Sequence, residues 1–311
     1  MRFTFLAAWL AVLLLLLGGA ATVWQRQRAV VPALAGDVLV AASFYPLAEF
    51  ARQAGGGAVN VFTVVPSGSE PHDYEPTPQE LVRVYAADVF LYNGGGIDPW
   101  AERIAPELRQ RGVQVMDMSS SLQPEAAGDG YQGPEVFHDP HFWLDPVLAQ
   151  EEVRIIAEAL TAADSAHAAV FRQHSQAYQA RLQRLDQDYR TGLASCARRE
   201  VVTSHNVLGY VAARYALVPI TIAGLSPDEE PSAQVLAEIA ELARKKDIRF
   251  IFFETLVSSR LAQTVAAEIG AQTLVFNPLE GLTEAERQAG EDYLSVMRTN
   301  LQNLRIALEC N

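Results

Sequence analysis

The order of short apolar runs along this chain limits its possible folds more than any other feature. Eight runs rich in β-branched and aromatic residues alternate with segments of helical periodicity. They lie at residues 37–43, 59–65, 89–93, 113–116, 201–204, 220–223, 249–253 and 273–276. Strands that alternate with helices usually pair in parallel, because each helix returns the chain to the same end of the sheet. The chain is therefore predicted to be an α/β protein with two four-stranded, mostly parallel sheets flanked by helices.

A segment between the two groups of strands has the pattern of one continuous helix. Its apolar residues recur at spacings of three, four and seven, and no Pro or Gly interrupts them before Gly192. They are Phe171, Tyr178, Leu182, Leu185, Tyr189 and Leu193. At 1.5 Å per residue, segment 164–193 predicts a rigid linker helix of about 45 Å.

The two halves of the chain also resemble each other. The dipeptide Glu70-Pro71 recurs 160 residues later as Glu230-Pro231. Repeat arrays have periods of about 20 to 50 residues, so this longer offset indicates a duplicated lobe. We therefore expect two similar lobes, an N-terminal one over 37–163 and a C-terminal one over 194–311, joined by the linker helix.

The N-terminal segment predicts export from the cytoplasm. In residues 1–36, Arg2 precedes a run of about 20 apolar residues, which is long for a cleaved signal peptide and just enough to cross a bilayer. A signal peptide and a retained membrane anchor both remain open. The segment contains no cysteine, so a lipoprotein anchor is not expected.

Two cysteines, Cys196 and Cys310, lie in the exported part. An oxidising compartment favours a disulfide bond between them. Two buried free thiols are the alternative that the sequence leaves open.

The formal net charge of −13 excludes partners that carry dense negative charge. No run of Lys and Arg interrupts the acidic balance, and such a surface repels nucleic acid and anionic lipid. We therefore expect a neutral or cationic ligand and no nucleic-acid partner.

Three histidines and one glutamate follow predicted strands, and they carry the strongest functional signal. They are His72, His141, His205 and Glu280. In open α/β sheets, ligands bind beyond the carboxyl ends of the strands, so these side chains are expected to meet in the crevice between the lobes. Three imidazoles and a carboxylate are the donor set that suits Zn²⁺. Glu254 also ends a strand and competes for the fourth position.

Each of these residues also has a purely structural explanation. His72 fits an exposed loop residue, His141 a hydrogen-bonded core residue and His205 the first residue of a helix. Glu254 fits a helix cap. The shared placement at strand ends is what favours a metal site over these separate explanations.

Several longer motifs occur in order along the exported part of the chain. They include HDYEPTPQE, DPHFWLDP, VVTSHNVLGYVAARYAL and NPLEGLTEAERQAGEDYLSVMRTNL. These motifs resemble those of the metal-binding solute-binding proteins of bacterial ABC transporters, in their zinc-receptor branch. The resemblance implies two α/β lobes with the metal between them. It puts His72, His141 and His205 on the family's metal positions and Glu280 on its acidic fourth position.

Further acidic residues flank the predicted ligands. Asp139, Asp145 and Glu75 are candidates for orienting the imidazoles through hydrogen bonds, and Glu254 joins them if it is not a ligand. Many zinc receptors of this kind carry a His-rich loop before DPHFWLDP, whereas here only His138 stands there. A metal-collecting role of that loop is not expected.

Together these features predict an extracytoplasmic receptor that captures Zn²⁺ between its lobes and delivers it to the membrane permease of an ABC importer. Four protein ligands leave no open coordination position, so no catalytic residue is expected. The expected partners are the divalent ion and the permease, with the receptor itself a monomer. The alternatives are a receptor for Mn²⁺ or Fe²⁺, a zinc metallohydrolase and a surface adhesion protein.

Overall fold

The strands form two separate parallel sheets, one in each half of the chain. The computed structural model describes residues 37–122, 139–225 and 231–311. Its strands are β1 Val38–Ala42, β2 Val59–Thr63, β3 Val89–Tyr92, β4 Gln114–Asp117, β5 Glu200–Thr203, β6 Val218–Thr221, β7 Phe250–Phe253 and β8 Gln272–Val275. The strand order is β2-β1-β3-β4 in one sheet and β6-β5-β7-β8 in the other. The common topology confirms the prediction of an α/β protein with two similar lobes.

The largest difference from the predicted strands is at β6, which begins and ends two residues earlier than expected. Pairing with β5 starts at Val218, opposite Glu200. Pro219 has no amide hydrogen, but β6 is an edge strand, where a missing donor is tolerated. The apolar run at 220–223 therefore marked the end of the strand and the turn after it.

Helices connect the strands and cover the sheets. They are α1 Tyr45–Gly55, α2 Pro78–Val84, α3 Pro99–Gln110, α4 Met118–Leu122, α5 Pro146–Ala163, α6 Ala168–Gly192, α7 Gly209–Tyr215, α8 Ala233–Lys245, α9 Arg260–Ile269, α10 Glu284–Ala289 and α11 Tyr293–Ala307. Among the described residues, no helix is both long and apolar enough to cross a membrane. The predicted signal or anchor segment, 1–36, lies outside the described residues.

The linker helix is α6, and at 1.5 Å per residue its length is about 38 Å. It starts four residues later than predicted, because the Asp164 carboxylate accepts a hydrogen bond from the Ala166 amide and caps a short 3-10 turn first. The predicted apolar stripe is buried along its whole length. This confirms one long helix between the lobes.

A single hydrophobic cluster extends through both lobes. It includes residues of β1, β3, α1, α5, α6 and α11. The ring of Phe50 in α1 packs against that of Tyr293 in α11, with centroids 5.0 Å apart. The hydroxyl of Tyr189 in α6 donates a hydrogen bond to the carbonyl of Met297 in α11 (2.7 Å). The lobes are thus held together by shared packing as well as by the linker.

A disulfide bond joins Cys196 and Cys310, 114 residues apart. It fastens the segment after α11 to the segment before β5. The sequence left two free thiols as the alternative, and the structure contains the bridge.

Glu152 in α5 is a carboxyl group buried inside the shared core. Neither of its oxygens has a hydrogen-bond partner, and burial raises its pKa well above the ordinary value. The folded state holds this proton more tightly than the unfolded state does. The free energy of unfolding therefore falls as pH rises above the pKa of about 4.3 that a Glu has in the unfolded chain. We expect Glu152→Gln to raise the melting temperature at pH 8, and the gain to shrink towards pH 5, as followed by circular dichroism.

The adjacent Glu151 provides a matched control. Its side chain is 45% exposed and pairs with Arg154, so Glu151→Gln is expected to give no gain at pH 8. A gain that both variants share, or that is equal at the two pH values, would contradict the assignment.

Candidate metal centre

Four side chains, two from each lobe, meet beyond the carboxyl ends of the strands. His72 lies in the loop after β2, and His141 precedes the 3-10 turn Phe142–Leu144. His205 follows β5, and Glu280 lies in the loop after β8. The structure therefore brings together the four residues that the strand-end pattern had indicated.

Their donor atoms form a compact group. Oε1 of Glu280 lies 3.6 Å from Nε2 of His72, 3.4 Å from Nε2 of His141 and 3.6 Å from Nε2 of His205. The Nε2 atoms of His141 and His205 are 3.3 Å apart. In a regular tetrahedron with metal bonds of 2.0–2.1 Å, neighbouring donors lie about 3.3–3.4 Å apart. These four separations lie close to that value, and all donor atoms of the group lie within 4.8 Å of one another.

The group is almost completely shielded from solvent. His141 and His205 are fully buried and Glu280 is 1% exposed, whereas the side chain of His72 is 8% exposed. Nε2 of His72 and both carboxylate oxygens of Glu280 have no hydrogen-bond partner. Buried polar atoms without partners are costly, and a bound cation would satisfy them together.

Two of the imidazoles are oriented by carboxylates behind them. Nδ1 of His141 lies 2.8 Å from Oδ1 of Asp139, and Nδ1 of His205 lies 2.8 Å from Oε1 of Glu254. Ser204 donates a further hydrogen bond to the same Glu254 oxygen. A carboxylate at Nδ1 favours the hydrogen on that nitrogen and leaves the lone pair of Nε2 facing the centre. Asp139 and Glu254 thus occupy the orienting positions.

The close contacts between carboxylates and imidazoles shift the pKa values of Glu280 and His141. Burial opposes ionisation of Glu280, but the imidazoles of His141 and His72, 3.4 and 3.6 Å from its Oε1, hold the pKa of Glu280 well below the usual range. Burial also disfavours the charged form of His141, yet the hydrogen bond to Asp139 and the nearby Glu280 carboxylate outweigh it and raise the pKa of His141 to about 10. Because a metal ion binds only an unprotonated Nε2, protonation of His141 and binding of a cation compete.

Glu70 is a further acidic residue at the centre, and it was missed in the sequence. Its Oε1 accepts a hydrogen bond from the amide of His72 (2.8 Å), as Oδ1 of Asp139 does from the amide of His141 (2.9 Å). Burial and the neighbouring Glu280 raise the pKa of Glu70 to about 9. A local signal was present, because an acidic residue followed by Pro precedes each of these two histidines.

Two of the acidic residues predicted to orient imidazoles have other partners. Glu75 is exposed and forms an ion pair with Arg103 (2.6 Å). The Asp145 carboxylate accepts from the amide of Val147 at the start of α5 and pairs with Arg214 (2.5 Å). Both residues are close to a histidine in the sequence, but this proximity did not predict which way their carboxylates point. His138 lies outside the described residues.

The chain is similar to a described family and to several known zinc-binding proteins. The family described as "Zinc-uptake complex component A periplasmic" matches residues 40–307. The high-affinity zinc uptake system protein ZnuA of Bacillus subtilis is 37% identical over 283 residues, which cover 88% of each chain. The zinc-binding lipoprotein AdcA of Streptococcus pneumoniae is also 37% identical, over 278 residues, and the chain spans 56% of its length.

A solved structure gives the same result. The Zn(II)-bound ZnuA-like domain of Streptococcus pneumoniae AdcA superposes with a TM-score of 0.75 at 36% identity. The match covers 88% of this chain and 100% of that domain. The chain therefore belongs to the family of the periplasmic component A of zinc-uptake complexes.

Proposed function

We propose that this protein captures Zn²⁺ outside the cytoplasm, between its two lobes, and delivers it to the membrane permease of an ABC importer. The observation that carries the proposal is the convergence of donor atoms from His72, His141, His205 and Glu280 within 4.8 Å of one another, with separations of 3.3 to 3.6 Å in four of the pairs. The names of the relatives, a zinc uptake protein and a zinc-binding lipoprotein, support the same cargo.

The donor set favours zinc over the other candidate cargoes. Three imidazole nitrogens and one oxygen suit Zn²⁺, whereas Mn²⁺ prefers oxygen ligands and six-coordinate geometry. The affinity order of divalent metals for such a site also puts zinc above Mn²⁺ and Fe²⁺. The other cargoes are therefore the second choice.

A closed shell also argues against hydrolysis. A zinc hydrolase binds its ion through three protein ligands and keeps a water molecule in the fourth position. In this centre Glu280 occupies the fourth corner, within 3.4 to 3.6 Å of the three nitrogens. The protein is thus a binding protein in which the ion is held and released unchanged.

The remaining assignments follow from this role. Residues 1–36 direct export as a signal peptide or hold the protein at the membrane as an anchor. Residues 37–163 and 194–311 form the lobes, and 164–193 form the linker between them. The protein acts as a monomer that binds the permease.

His72, the most exposed of the four ligands, lies on the side from which the ion enters.

Removal of a ligand should abolish tight zinc binding. We expect the wild-type protein to retain one equivalent of zinc after purification without added metal, measured by elemental analysis. His141→Ala and Glu280→Ala are each expected to weaken zinc affinity more than about 100-fold, because the effect of a ligand exceeds that of the residues around it.

His167→Ala is the control for these ligand variants, because His167 is a partly exposed histidine that pairs with Asp164 on the linker. It is expected to bind zinc like the wild type. Undiminished zinc binding by His141→Ala would refute the proposed site, and full binding by Glu280→Ala would reopen the hydrolase alternative.

Loss of an orienting carboxylate should have a smaller effect. We expect Asp139→Asn and Glu254→Gln each to lower zinc affinity by about 10- to 100-fold, because the imidazoles lose the groups that fix their hydrogen. Glu75→Gln, which changes an exposed acid paired with Arg103, should leave the affinity unchanged. Competition with a chelator of known affinity measures all three, and equal affinities would show that the carboxylates do not act on the metal.

The cargo itself can be tested by competition. Apo protein equilibrated with an excess of Mn²⁺ or Fe²⁺ over Zn²⁺ is expected to recover zinc alone, because zinc stands above both ions in the affinity order. Elemental analysis after gel filtration gives the bound metal. Recovery of manganese or iron instead would transfer the proposal to that ion.

A further inference from the structure

Trp143 is a fully buried side chain that contacts both lobes. Its ring packs edge-on against Phe44, between β1 and α1 of the first lobe, with centroids 4.9 Å apart. Its indole Nε1 donates a hydrogen bond to the carbonyl of Pro278, in the loop after β8 of the second lobe (2.8 Å). This bond joins segments that are 135 residues apart in the chain.

Each end of this hydrogen bond lies two residues from a proposed metal ligand. Trp143 is two residues after His141, and Pro278 is two residues before Glu280. The indole ring also lies against the imidazole of His141, with centroids 5.2 Å apart. The bond therefore fixes the separation of the backbones that carry a nitrogen donor from one lobe and the oxygen donor from the other.

The second lobe also holds the backbone around Trp143. The hydroxyl of Tyr293, at the start of α11, donates to the carbonyl of Trp143 (2.5 Å). The hydroxyl of Tyr210, in α7, donates to the carbonyl of Asp139 (3.0 Å). The turn that carries His141 is thus attached to the second lobe at both ends, and the Trp143 indole is its link to the Glu280 loop.

We propose that Trp143 is a positioning residue for the metal centre, which holds His141 and Glu280 at coordination distance through its hydrogen bond to Pro278. The inference rests on the proposed function. A centre whose donors are held in place before the ion arrives loses less freedom on binding and binds more tightly. Trp143 supplies no donor atom; it acts through the two backbones and through its packing against the imidazole of His141.

The test compares Trp143→Phe with Trp100→Phe. Trp100 is an equally buried tryptophan of the first lobe, but its Nε1 has no hydrogen-bond partner and it belongs to a separate core cluster. Both substitutions remove the same atoms from a buried site. Zinc affinity, the zinc dissociation rate and the visible absorption of the Co²⁺-substituted protein are measured, together with the melting temperature.

We expect Trp143→Phe to lower zinc affinity by about 10- to 100-fold, to speed dissociation and to alter the Co²⁺ spectrum, as residues around a metal shell do. Trp100→Phe is expected to lower the melting temperature while zinc affinity and the Co²⁺ spectrum stay as in the wild type. Equal effects of the two variants on affinity and spectrum would overturn the proposal, because packing alone would then explain them.

A second variant keeps the proposal testable if Trp143→Phe does not fold. Tyr293→Phe removes one hydroxyl group and thereby the bond to the Trp143 carbonyl, and it is expected to change affinity and the Co²⁺ spectrum in the same direction. Wild-type values for this variant would then overturn the proposal. Failure of the wild-type protein to bind zinc would instead refute the proposed function, so the two failures are distinct.

Discussion

The structure depends on one constraint, the burial of the Glu280 carboxylate against three imidazoles. Glu280 is 1% exposed, and its oxygens have no hydrogen-bond donor among the described residues. Burial of such a group is costly unless a cation compensates for it. Each lobe supplies two of the four proposed donors, so an ion bound by them would stabilise the lobes in contact. The shared core and the carboxylates behind the imidazoles keep these donors together.

Most of the fold could be predicted from sequence because its elements follow simple periodicities. The strands are short apolar runs, and α6 carries an uninterrupted stripe of apolar side chains, which is buried in the structure. The errors occurred where tertiary pairing or a local hydrogen bond sets a boundary. The register with β5 determines where β6 begins, and the Asp164 side chain delays the start of α6. Neither effect is visible in hydrophobic periodicity.

The convergence of the four proposed donors was also predictable, because the carboxyl ends of parallel strands meet at one edge of a sheet and the side chains that follow them meet there too. The residues behind the donors were harder to assign. Glu254 competed for a donor position but lies behind His205, and Glu75 turns to Arg103 at the surface. Which way a carboxylate points depends on partners far away in sequence. The acid-Pro-His repeat that marks Glu70 was the local clue that could have been used.

The disulfide bond between Cys196 and Cys310 makes the stability of one lobe, but not of the other, depend on oxidation. All four strands of the second sheet lie inside the loop that it closes, and all four of the first sheet lie outside. In the chain-entropy account, closing a loop of about 100 residues stabilises the folded state by about 4.7 kcal/mol. A chain kept in a reducing compartment would lack this contribution in the half that supplies His205 and Glu280. Oxidative maturation would thus be linked to the acquisition of cargo.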